Sequence, residues 1–269
     1  MIIDFHTHIF PNKIATGALS KLSSIINVPP SMNGTVQGLL NSMAAANIDT
    51  SIILPVVTDP HQFDSIFRFA AQINEHQDNS NPQLISFAGI HPDMDNYKAL
   101  LHKIASHGFL GIKLHPNYQG VNFDDIRYMR IIYTASELGL IIQVHTGIDP
   151  YTPGKLYCSP DMILRVIKET AAPKLVLAHM GNNENYDEAE AKLCGQDVYF
   201  DTAYSIKHMS PEQLVRMIHH HESDKILFGS DAPWTSQKAD VEKLRSITDL
   251  SPTEKQQIFY QNAQRLLGR

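Results

Sequence analysis

"FLGIKLHPNYQGVNFDDIRYMRIIYTASELGLIIQVHTG" (109–147) reads as a strand, a helix and a second strand. The outer runs FLGIKL (109–114) and LIIQV (140–144) are short and almost wholly apolar, as suits parallel strands covered by helices on both faces. Between them, FDDIRYMRIIYTASELG (123–139) has acids in its first turn, helical apolar spacing and a closing glycine. Outward from this unit the alternation recurs. Further strands are predicted at 2–5, 51–57, 84–90, 174–178, 198–202 and 225–229. Helices are predicted at 61–78, 96–107, 160–170, 184–194, 211–222, 237–248 and 251–268, the last opening with Ser251, Pro252 and Glu254 in capping-box order. Eight strands alternating with helices predict an α/β chain of the (β/α)8 TIM-barrel type, one domain over 1–269. No glycine-rich GxGxxG or GxxxxGK[ST] turn follows a strand, which argues against a doubly wound nucleotide-binding sheet. The insertion after the first strand (11–34), with Pro29, Pro30 and Gly34, is placed to form a small cap over the barrel mouth.

Composition narrows the function. A chain of 269 residues with 43% hydrophobic and 19% charged residues is an ordinary globular protein with a full core. A formal charge of −6 and the lack of any basic run speak against nucleic acid. Apolar stretches are far too short for a membrane span, and no basic leader precedes the first strand. Cys158 and Cys194 form neither a disulfide framework nor a metal spacing, so a cytoplasmic setting is expected.

The polar residues at strand ends are the unusual feature. The first strand ends in His6 and His8, the third in His91, and the fourth in Lys113 and His115. The fifth ends in His145, the sixth in His179 and the eighth in Asp231. Fourteen histidines spread evenly over 269 residues would put about 0.3 of one at six such endings, yet five of the six hold one. In a barrel these ends gather on one catalytic face. Clustered imidazoles with a carboxylate are the donors a zinc-like ion takes in a catalytic site. His6 and His8, two residues apart on one strand face, are therefore expected to be half of that site. His91, followed by proline, reads more simply as a turn. The His219–His221 run is expected to be a solvated helix end.

The ordered set DFHTH, GIKLHP, VHTG, AHMG, FGSDAPW and NAQRLLG resembles the amidohydrolase superfamily, specifically its amidohydrolase 2 group of metal-dependent hydrolases and decarboxylases. The resemblance runs the length of the chain. It implies one Zn²⁺ held by His6, His8, His145 and Asp231, another divalent metal or two ions being the alternatives. It also implies that Asp231 carries the proton of the attacking water and that His179 stabilises the developing oxyanion. Lys113 and His115 would bind a substrate carboxylate or phosphate; in a two-ion variant Lys113 would be carboxylated and bridge the metals. The activity expected first is hydrolysis of an amide, lactone or ester in a small molecule. Non-oxidative decarboxylation of an aromatic or unsaturated acid is second, because decarboxylases of this kind tend to be longer. A phosphoesterase and a non-catalytic binding protein rank lower. Homodimerisation is compatible with the resemblance.

Overall fold

The structure, a computed structural model, describes residues 1–75 and 82–269. Among the described residues there are nine strands: β1 (Ile3–Thr7), β2 (Thr50–Ile53), β3 (Gln83–Ser86), β4 (Ala88–Gly89), β5 (Gly111–Leu114), β6 (Ile141–Val144), β7 (Leu175–Leu177), β8 (Tyr199–Asp201) and β9 (Ile226–Leu227). Each falls on an apolar run read from the sequence. The eight runs become nine strands because Phe87 interrupts the third.

The chain packs as two compact units. The first comprises Met1–Ile53, Ile73–Ile85 and Asp201–Arg269. Within it β1 pairs in parallel with β2, which neighbours β3. On the other side of β1 the Phe5 amide donates to the Phe228 carbonyl at 2.7 Å, so β1 also lies beside the end of β9. The Phe228 amide in turn donates to the Ile258 carbonyl at 2.9 Å. That carbonyl sits in a π turn (Gln257–Gln261) inside the C-terminal helix. The predicted helix 251–268 is thus three consecutive segments, Pro252–Gln256, the π turn and Asn262–Leu267, and its capping box between Ser251 and Glu254 is formed. Phe5 and Phe228 are fully buried, a gain of roughly 2–3 kcal/mol each.

The second unit comprises Leu54–Gln72 and Ser86–Phe200. There β4, β5, β6, β7 and β8 pair in that order, every pair parallel. The helix Ile126–Glu137 joins β5 to β6 as the opening stretch predicts, with Asp125 capping its first turn through a bond from the Arg127 amide.

The insertion has helical structure of its own, and one expectation, that for His219–His221, needs correction. The 11–34 insertion is mostly a helix, Asn12–Ile26, and a second helix, Val36–Ala46, precedes β2. Only Ala15 and Leu19 of the first are buried, too thin an apolar stripe to show in the sequence. The His219–His221 run is not uniformly solvated. His219 is half exposed and pairs with Glu254 at 3.0 Å, but His221 is buried, one turn beyond Met217 on the inner face of its helix. The predicted helix 61–78 appears as Phe63–Glu75, and its residues 76–78 lie outside the described residues. Among the described residues no helix is long and apolar enough to cross a membrane.

Candidate metal centre

In the first unit, β1 delivers His6 and His8 to a loop that carries Asp231. The Asp231 amide donates to the His6 carbonyl at 2.9 Å, and the His8 amide donates to the Ala232 carbonyl at 2.7 Å. Beneath them Asp4 laces the same segments together. Its carboxylate accepts from the amides of His6 and Ser230, the Ser230 hydroxyl and the Gln237 side-chain amide. Burial outweighs these donors and pushes Asp4 up to about 6. Asp231 has φ +74°, a left-handed backbone conformation uncommon outside glycine.

Three donor atoms converge as a result. His6 Nε2 and His8 Nε2 are 3.1 Å apart, and Asp231 Oδ1 lies 3.5 Å from the first and 3.2 Å from the second. Ligands about 2.1 Å from one ion are about 3.4 Å apart in a tetrahedron and about 3.0 Å apart across an octahedral edge. The triangle lies between these values and suits either geometry. The two imidazole planes stand 73° apart, edge to face, with centroids 5.0 Å apart. A divalent ion therefore fits His6, His8 and Asp231.

The second unit holds a different cluster. His115, His145 and Asp149 are buried, with Asp149 Oδ2 at 3.7 Å from His115 Nε2 and 3.6 Å from His145 Nε2. Here the two imidazoles are stacked, centroids 4.2 Å apart and planes 9° apart. As arranged, the two rings stack beside Asp149, and the donor atoms of the three residues lie close enough together for a cation to be held there as well. His179 Nε2 sits 2.9 Å from His145 Nδ1, so one proton is shared between them and their tautomers are coupled. His179 and the following Met180 have φ of +57° and +51°. Gly147, just past His145, approaches the chain so closely that a Cβ there would lie 2.1 Å from the Asn183 amide nitrogen.

The structure thus brings together His6, His8 and Asp231 of the predicted ligands, and places His145 with His115, Asp149 and His179. Lys113 is fully buried on β5. His91 accepts from the Asp93 amide at 3.1 Å, in keeping with a turn. Two further buried acids, not among the predicted residues, belong to these clusters. Asp201, at the end of VYFDT, is 2.8 Å from His6 Nδ1, and its strand-end position was the available signal. Asp149 follows His145 by four residues in a loop that the sequence left untranslated.

A family model described as Amidohydrolase matches residues 3–269. The chain belongs to the Amidohydrolase family. No curated protein matches the sequence itself. Among solved structures, this amidohydrolase is similar to 2,6-dihydroxybenzoate decarboxylase from Rhizobium, at 16% identity over 99% of this chain and 98% of that one, with a TM-score of 0.75. Dihydroxybenzoic acid decarboxylase from Polaromonas sp. JS666, solved with bound manganese and 2-nitroresorcinol, is similar at 16% identity over 99% and 96% of the chains, TM-score 0.71. A TIM-barrel protein from Bordetella bronchiseptica is similar at 17% identity over 100% and 99%, TM-score 0.77. The fold of the chain is accordingly the TIM-barrel fold read from the sequence.

Proposed function

We propose that this amidohydrolase is a divalent-metal-dependent, non-oxidative decarboxylase of an aromatic carboxylic acid. The observation that carries the metal dependence is the convergence of His6 Nε2, His8 Nε2 and Asp231 Oδ1 within 3.1–3.5 Å. Decarboxylation is preferred over hydrolysis because the two decarboxylases are matched along nearly their whole chains, which removes the length-based preference for a hydrolase. Zinc and manganese both suit the triangle.

A bound divalent ion would supply positive charge that draws and polarises the oxygen atoms of a phenolic or carboxylate substrate. In the reaction the bond between ring carbon and carboxylate breaks, its electron pair stays with the ring carbon, CO2 leaves, and a proton takes its place. Asp231, whose carboxyl reaches the ligand triangle, is the candidate to carry that proton. Asp4 holds the Gly229–Asp231 segment against β1, which sets where Asp231 stands. Lys113 and His115 retain the task of recognising a substrate carboxylate; His179, expected from the resemblance to stabilise developing negative charge, would here also fix the tautomer of His145 through its 2.9 Å contact.

The test is CO2 release from 2,6-dihydroxybenzoate and related hydroxybenzoates by protein loaded with Mn²⁺ or Zn²⁺, with aryl esters and lactones assayed in parallel. Metal-dependent CO2 release, lost at least 100-fold in His8→Ala, is the expected result. Ester or lactone hydrolysis with no CO2 release from any acid would replace this reading with the hydrolase.

A further inference from the structure

The side of His6 away from His8 and Asp231 is as carefully built as the ligand triangle. Its Nδ1 lies 2.8 Å from Asp201 Oδ2, with His6 only 1% exposed and Asp201 fully buried. Asp201 is held in turn by the Ala203 amide, which donates to its Oδ1 at 3.0 Å. The next residue, Thr202, donates its hydroxyl to the Gly229 carbonyl at 3.0 Å and accepts from the Gly229 amide at 3.1 Å. Gly229 allows the close approach. A Cβ there would stand 3.0 Å from His6 Cβ and 3.3 Å from Ala203 Cβ, so a side chain would wedge His6 away from the segment bearing Asp201.

We infer that Asp201 is a positioning residue for the metal centre, acting through His6. This rests on the reading of His6, His8 and Asp231 as metal ligands. An ionised carboxylate can only accept, so the contact puts a hydrogen on His6 Nδ1 and leaves the Nε2 lone pair facing His8 Nε2 and Asp231 Oδ1. It also fixes the rotation of the ring about its own axis, which a buried ring without a partner on Nδ1 would have to find by packing alone. Asp201 is not a ligand: Nδ1 and Nε2 face different directions from one ring, and the carboxylate occupies the Nδ1 side. Losing such an outer partner of a ligating histidine typically weakens metal binding about 10–100-fold.

The experiment measures Zn²⁺ affinity by competition with a chromophoric chelator for wild type, Asp201→Asn and Asp201→Ala, with the Tm of each metal-free protein beside it. Expected is a loss of affinity of about 10-fold for Asp201→Asn, whose amide oxygen still accepts weakly, and about 100-fold for Asp201→Ala. In a His6→Ala background the same changes should cost no further affinity, whereas in a His8→Ala background they should still weaken binding. Should Asp201→Ala not fold, the near-isosteric Asp201→Asn decides. A fall in Tm with unchanged affinity would make Asp201 a purely structural acid and overturn the inference. So would an equal loss with and without His6. Wild-type affinity that is indifferent to His8→Ala would instead sink the metal reading on which the inference stands.

Discussion

Asp231 combines two properties that can be separated by choice of substitution. Its carboxylate completes the triangle of donor atoms with His6 and His8, and its backbone at φ +74° is one that β-carbon residues adopt at a cost, aspartate and asparagine least. Asp231→Asn should therefore keep the backbone and remove the charge. Metal affinity is expected to collapse while the metal-free protein melts near wild type. Asp231→Ala should lose the affinity and about 1 kcal/mol of metal-free stability besides. Thermal melts of the chelated proteins beside metal titrations distinguish the two. Equal melting of both variants would show that the left-handed backbone is not stabilised by the residue type. At this scale the strand-end rule made His6, His8 and Asp231 legible. It misses Asp201, although that residue ends β8, because a single acid after an apolar run reads equally as a turn. Only the fold shows that it faces His6.

The loop and helix that follow Asp231 form a unit with its own titration. Thr235 Oγ1 lies 2.6 Å from both the Ser230 carbonyl and Asp240 Oδ2. Its single hydroxyl proton serves one of these, and both contacts are made at once when Asp240 carries a proton. Burial pushes Asp240 up to about 7, with the nearby acids Asp4 and Asp231 adding to the effect. The folded pKa lies above the ordinary value, so the folded state holds the proton more tightly than the unfolded one between about pH 4 and 7. The contribution of this group to stability is thus fully present below about pH 4. It declines as pH rises through about 7, at up to about 1.4 kcal/mol per pH unit. Asp240→Asn, a neutral stand-in for the protonated acid, should flatten that slope in chelated protein and raise its Tm at pH 8. Parallel slopes for variant and wild type from pH 4 to 8 would refute the assignment. Element existence was legible because apolar runs and helical spacing are local signals. Element detail was not. The π turn at Gln257–Gln261, for one, answers to a neighbour far along the chain, because Phe228 takes the Ile258 carbonyl.

For the molecule as a whole, a cation that binds only the folded state must stabilise it. The increment is set by mass action: at a free concentration 100 times Kd it is about 2.7 kcal/mol. For a chain of this size that corresponds to a Tm rise of roughly 5–10 °C. At that same free concentration the rise should shrink sharply in His6→Ala and His8→Ala, since either change leaves one of the two converging imidazoles and weaker binding. The choice of ion carries further information. The triangle of two imidazole nitrogens and one carboxylate oxygen fits tetrahedral and octahedral edges alike, so the protein's spacing selects neither zinc nor manganese. Intrinsic affinity then decides, and nitrogen-rich donors follow the order that places manganese well below zinc. Zn²⁺ should accordingly raise the Tm more than Mn²⁺ at equal free concentration. A larger rise with Mn²⁺ would mean that hard oxygen donors beyond Asp231 complete the shell, and the search for ligands would turn to carboxylates. No rise with either ion would leave His6, His8 and Asp231 as a hydrogen-bonded triad, and the proposed decarboxylation would lose its source of positive charge.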